Sequence, residues 1–336
     1  MTETIELTAH DGHPLTMVNV RGDDTSRGPV LLVHGAGVRA DIFRPPTDTT
    51  LVDVLVAAGY DVWLENWRAS IEHAPNQWTL DQAALFDHPA AVRTVLDRTG
   101  ADSLPAIVHC QGSTSFVLAA VAGLLPDVST IVSNAVSLHP VIRPFAAFKL
   151  RRIAPILDRW LDYIDPGWGN DAHGFWPKAT AGFVRLTHHE CDNTVCRLVS
   201  FTYGYGYPCL WSHENLSDET HDWIRTEFGP VPFTFFSQIH AGVAAAQLVT
   251  VDGDQRLPRR PADQPPRSDA RFVFLAGRDN KCFLPESQER TYEWFDRNSS
   301  ADHSLHLFAD YGHLDVFIGE NAARDIFPVI IDELAR

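Results

Sequence analysis

The run AIVHCQGSTSF at 106–116 constrains the fold more than any other part of this chain. A short apolar strand pattern, Pro105 to His109, passes without a linker into an apolar helical pattern from Gln111 to Leu125. Such a junction forces a sharp strand-to-helix turn. The residue on that turn stands above a sheet edge and faces the N–H groups and positive dipole end of the helix. The same alternation surrounds it. Ile5 to Val20, with Asp11-Gly12 at its centre, reads as a hairpin. Pro29 to Val33 reads as a buried strand, Leu51 to Ala58 as a helix closed by Gly59, and Asp61 to Leu64 as the next strand. Thr79 to Gln82 has capping-box spacing and opens a helix that stops at Gly100. Ser129 to Ser137 is a further strand, leading to His139-Pro140. This order implies an α/β class with a mostly parallel central sheet flanked by helices.

The rhythm breaks between 141 and 256. Five of the nine tryptophans fall there (Trp160, Trp168, Trp176, Trp211 and Trp223), with many Phe, Pro and Gly residues. The plain reading is a mainly helical insertion with its own core. The functional reading is a cap that gives an active site an apolar wall. LPRRPADQPPR, Leu257 to Arg267, reads as an exposed connector. The α/β rhythm then returns with a strand at Phe272–Ala276, a helix at Pro285–Asp296, a strand at Ser304–Phe308 and an amphipathic helix at Asn321–Ala335. The expected organisation is a core of 1–140 plus 257–336 and a cap of 141–256.

Composition narrows the partners. A formal net charge of −16 repels phosphate backbones, so nucleic acid is not expected as a partner. No apolar stretch approaches the length of a membrane span, so no stable membrane insertion is expected. The first residues, MTETIELTAHDGHPLTM, lack the apolar run of a secretory signal. Five cysteines, an odd number, suit free thiols in a reducing compartment, and a cytoplasmic location is expected. The oligomeric state is left open.

Three readings of the turn at Cys110 compete. It is a buried structural thiol, a thiolate nucleophile activated by the helix N-terminus and an imidazole, or a spacer beside a Ser113 nucleophile. Against the G-x-S-x-G elbow pattern, Cys110 holds the nucleophile position and Gly112 the glycine two residues on, while Val108 replaces the preceding glycine. An acid belongs after the penultimate strand, where Asp279 lies. The base belongs after the last, where His313 lies. Two N–H donors for an oxyanion are expected at Gln111 and, in the His34-Gly35-Ala36-Gly37 loop, at Ala36. Gly35, His109, His139 and Trp211 are expected to line the substrate pocket.

These residues resemble the α/β-hydrolase superfamily over nearly the whole chain outside the cap. More narrowly, they are similar to its acid-lipase branch and to hydrolase modules fused to cholesterol-oxidase-like flavoproteins. The carrying segments are VHGAG at 33–37, DVWLENWRAS at 61–70, FDHPAAV at 86–92, VHCQGS at 108–113 and YGHLDVFIG at 311–319. The resemblance implies the α/β-hydrolase fold, no cofactor and an ester of a lipophilic acid or alcohol as substrate. It implies Cys110 as nucleophile, Asp279 as acid, His313 as base, and Ala36 and Gln111 as oxyanion donors. Cysteine in place of serine also resembles polyester synthases and dienelactone hydrolases. Ester hydrolysis through a thioester is therefore the first expectation. Acyl transfer, thioesterase action or cyclisation is the second, and a catalytically silent binding module the third. His188-His189-Glu190-Cys191 with Cys196 matches no zinc-motif spacing, so a Cys191–Cys196 pair or simple packing is expected there, without metal.

Overall fold

The computed structural model describes all 336 residues. Ten strands form in chain order: β1 Thr2–Thr8, β2 Pro14–Val20, β3 Pro29–Val33, β4 Asp61–Asn66, β5 Leu104–His109, β6 Val128–Asn134, β7 Tyr163–Ile164, β8 Val231–Pro232, β9 Arg271–Gly277 and β10 Ser304–Phe308. Eight of them make one sheet in the order β1-β2-β4-β3-β5-β6-β9-β10. The β1–β2 hairpin and the β2–β4 pair are antiparallel, and every other pair is parallel.

Alternation along the strands builds two cores. Leu31, Val33, Trp63, Ala106, Val108, Phe272 and Phe274 fall on one face. Val30, Leu32, Val62, Leu64, Ile107, Val132 and Leu275 fall on the other. The helices His88–Thr99, Cys110–Val121 and Glu286–Asn298 cover the first face, and Leu51–Ala57 and Phe327–Leu334 the second. After β3 the chain moves outward to β4, then returns to the other side of β3 as β5. The carboxyl ends of β3 and β5 therefore flank a switch point, where an open α/β sheet leaves a crevice for ligands.

The sequence expectations hold for the hairpin, for the sheet strands and for the capping box of Thr79 with Gln82, and the structure adds a second box, Thr50 with Asp53. The predicted helix at Asn321–Ala335 is instead two helices, Ala322–Asp325 and Phe327–Leu334. Pro328 lacks the N–H that would continue the first into the second. Between β6 and β9 the chain is mostly helical, including Phe175–Thr187, Thr194–Tyr203 and Phe233–Ala245, with β7 and β8 as a two-residue antiparallel ribbon. No helix is long and apolar enough to cross a membrane.

Candidate active site

Cys110 is the first residue of the helix that follows β5, and its φ is +56°. A non-glycine residue in this left-handed region costs about 1–2 kcal/mol. The surroundings fix it there. A Cβ added at Gly112 would lie 2.1 Å from the carbonyl oxygen of His34, and one at Gly35 would lie 2.9 Å from Cβ of Cys110. Only glycine permits those two approaches. Val108, the departure from the elbow pattern, is buried inside β5 between Val33 and Ser133, and the turn forms regardless. Ser113 faces the other way and shares a 2.6 Å hydrogen bond with Ser133.

The backbone N–H groups of Gln111 and Ala36 both lie toward the Cys110 sulfur and favour its charged form. Two preorganised donors thus converge where an oxyanion would develop beside the nucleophile. The loop carrying Ala36 is braced on both sides. Tyr203 Oη–H donates to the Ala36 carbonyl at 3.0 Å, and the Trp67 indole N–H donates to the His34 carbonyl at 2.9 Å.

His313 is buried, and a ring nitrogen of His313, one of His109 and the Cys110 sulfur lie within 4.8 Å of one another. Asp279 does not reach the ring. It is exposed, and its backbone N–H is tied to the Tyr311 carbonyl at 2.9 Å. The neighbouring Asn280 occupies the acid's place, with its Nδ2 3.1 Å from Nδ1 of His313. Its Oδ1 accepts the Cys282 N–H at 3.0 Å, which fixes the amide orientation. Nδ1 of His313 therefore accepts, and the neutral ring carries its proton on Nε2, which has no other partner. Burial pushes the Cys110 thiol up to about 12 and the His313 imidazolium down to about 3. Burial therefore favours the neutral thiol and neutral ring over a thiolate–imidazolium ion pair.

The remaining predicted residues divide. His109 packs against His313 with ring centroids 4.8 Å apart, and its Nδ1 accepts from Asn134 Nδ2 at 2.9 Å. His139 sits away from the cavity, bonded to Thr291 and beside Trp294. Trp211 is buried against Phe228 and does not line the cavity either. Both were expected from position in the chain alone, and both are packing residues of neighbouring elements. The cavity above Cys110 and Gln111 encloses about 760 Å³ with its mouth and is mostly apolar, with Phe233, Phe235, Phe236 and Phe201 among its walls. Its one charged group is Lys149, which the sequence reading passed over. Burial lowers its amine to about 8, and Nζ donates to the Phe201 carbonyl at 2.5 Å.

Residues 28–320 match the sequence profile of the alpha/beta hydrolase fold. Lipase member K of Homo sapiens is 30% identical over 367 residues, covering 98% of this chain and 86% of that protein. Lipase lipl-3 of Caenorhabditis elegans is 24% identical over 313 residues, covering 83% of this chain and 73% of that one. Among solved structures, a thermophilic esterase from Thermogutta terrifontis aligns with a TM-score of 0.61 at 16% identity, over 99% of this chain and 98% of that chain. Fold, profile and full-length relative agree, and the chain belongs to the α/β-hydrolase fold family.

Proposed function

We propose that this chain is a carboxylic-ester hydrolase that acts through a thioester on Cys110, on esters with a bulky apolar part. The observation that carries this reading is one convergence. A strained Cys110 faces the N–H groups of Gln111 and Ala36 and lies near His313, at the floor of an apolar cavity walled by phenylalanines. Lipase and esterase relatives support the reaction class.

The sulfur attacks the ester carbonyl carbon as its proton passes to Nε2 of His313. The carbonyl oxygen becomes an oxyanion held by the two N–H groups. Collapse breaks the bond to the alcohol oxygen, which leaves with the proton from His313. Water then attacks the thioester, gives a proton to His313, and releases the acid and the thiol. Both proton uptakes need a lone pair on Nε2. The Asn280 amide must therefore turn Oδ1 toward the ring and give up the Cys282 N–H, at a cost of about 1 kcal/mol.

Asn280 favours a second reading, acyl transfer. An amide cannot offset the charge of an imidazolium as a carboxylate does, which slows activation of water. A thioester in an apolar cavity then survives to meet an amine or alcohol. Exposure to p-nitrophenyl esters of rising chain length, followed by intact mass measurement, tests both. The reading expects an acyl adduct that maps to Cys110 and is absent in Cys110→Ala. Release of free acid alone supports the hydrolase, and release accelerated by an added alcohol or amine with matching product supports the transferase. No adduct and no turnover with any ester leaves a silent binding module.

A further inference from the structure

Far from Cys110 in the chain, the inserted segment gathers a second chemical cluster. The ligand atoms of Cys191, Cys196, His213 and His221 all lie within 4.8 Å of one another. We propose that these four side chains form a structural zinc site that fixes the part of the insertion against which the loop carrying His313 is hydrogen-bonded.

The donor set is two thiols and two imidazoles, the tetrahedral S₂N₂ combination that suits zinc. Bond lengths of about 2.3 Å to sulfur and about 2.0–2.1 Å to nitrogen put a sulfur–nitrogen edge of the tetrahedron near ~3.5 Å. The Cys196 sulfur lies 3.5 Å from Nε2 of His213. All the cysteines are free thiols, so the Cys191–Cys196 pair expected from sequence is a juxtaposition and not a disulfide. His221 carries a second pointer to a ligand, a buried Nε2 without any hydrogen-bond partner. The backbone around the cluster is ordered by Asn193. Its Oδ1 accepts from the N–H groups of Val195 and Cys196, and its Nδ2 donates to the His221 carbonyl at 2.6 Å. With both thiols deprotonated, a dication leaves the site neutral. Four protein ligands leave no open position, which marks a structural rather than a catalytic role.

The local spacing of His188, His189, Cys191 and Cys196 matches no zinc motif, and His188 and His189 are not part of the cluster. The histidines that arrive lie further along, with sixteen residues between Cys196 and His213 and seven between His213 and His221. The segment between the second cysteine and the first histidine is also what holds the catalytic loop. The Leu210 carbonyl accepts from the N–H groups of His313 and Leu314, at 3.0 and 2.7 Å. The Ser212 N–H and Asn215 Nδ2 both donate to the Asp315 carboxylate.

The test is metal analysis of the full chain, purified under reducing conditions without chelator from zinc-supplemented medium. One zinc per chain is expected. Cys196→Ser and His221→Ala should lose it, while His188→Ala and His189→Ala should keep it. Cobalt loading should give tetrahedral d–d bands together with thiolate-to-cobalt charge transfer, and both should vanish in Cys196→Ser. Removing zinc from the wild type should lower its melting temperature. The proposal is overturned by wild-type protein that stays metal-free on titration with zinc, by a Cys191–Cys196 disulfide in peptide mass mapping, or by retention of zinc in the His221→Ala variant. None of these readouts depends on Cys110 or on turnover.

Discussion

At Asn280 an amide stands beside the imidazole that has to gain and lose a proton. The amide presents its NH₂ to Nδ1 of His313 because Cys282 N–H occupies its oxygen. An aspartate there could accept from both groups at once and would stabilise the imidazolium. Asn280→Asp should therefore raise kcat/KM for ester hydrolysis by about tenfold or more, equivalent to about 1.4 kcal/mol. It should also shift product away from any added alcohol acceptor toward free acid. Stopped assays on one ester with and without acceptor check both, and an unchanged or reduced hydrolysis rate would show that the amide is not what limits the step. Cys110→Ser should lose about a hundredfold or more, because an alcohol needs a stronger base than a thiol. Adding Asn280→Asp to that variant should recover part of the loss. The sequence placed Cys110, His313, Ala36 and Gln111 together because element order alone sets them at strand ends. It chose Asp279 over Asn280 because a one-residue offset in a loop is decided by a contact across the fold, here the Asp279 N–H to the Tyr311 carbonyl.

Beneath the elbow, the Cys110–Val121 helix rests on a buried chain of polar groups. Nδ1 of His88 bonds the Glu65 carboxylate at 3.0 Å, and its Nε2 bonds Ser115 Oγ at 2.7 Å. Ser115 Oγ–H donates in turn to the Gln111 carbonyl at 3.0 Å. Glu65, His88 and Ser115 are all fully buried. Burial raises the Glu65 carboxyl, and His88 is what opposes that shift. His88→Ala should leave the Glu65 carboxylate unpaired and cost about 3–5 kcal/mol, read from urea unfolding. Glu65→Gln in the same background should return part of it. A loss below 1 kcal/mol in His88→Ala would mean the network is not holding the helix (about the size of one ordinary hydrogen bond). The strands, caps and turns around this brace were legible because they depend on local pattern: short continuous apolar runs in β3 and β5, Thr79 ahead of Gln82, and Gly59 and Gly100 at positive φ. The inserted helices were not, since each buries its apolar face against a partner far away in sequence. Phe201 and Phe236 both line the cavity, and nothing local to either foretells it.

For the whole molecule, the buried histidines set the response to acid. Burial holds His34 and His313 down at about 3 and His139 and His188 at about 4, and it lowers His109 well below the usual imidazole range. Each is neutral in the fold and takes up a proton near pH 6.5 once the chain unfolds. The unfolded state therefore binds more protons below that pH, so the stability these groups supply is present above about 6.5 and is lost as pH falls toward 3–4. Asp315 works in the opposite direction, since burial raises it to about 6, and its contribution grows as pH falls from 6 toward 3.8. Burial raises the carboxyls of Glu65, Asp81, Asp165 and Glu190 in the same sense as Asp315, while the histidine slope opens near pH 6.5, above the ordinary carboxyl range. Fully buried His34 and His313 should each contribute up to about 1.4 kcal/mol per pH unit inside the window. Urea midpoints should begin to fall just below pH 6.5 and decline steeply by pH 5, although the chain resembles acid lipases in sequence. His139→Gln should make the slope shallower without changing its sign. A midpoint that holds level or rises from pH 7 to 5 would mean that the buried histidines already carry protons in the fold. In that case His313 would rest as an imidazolium beside Cys110, and the neutral starting state of the acylation step would have to be replaced by an ion pair.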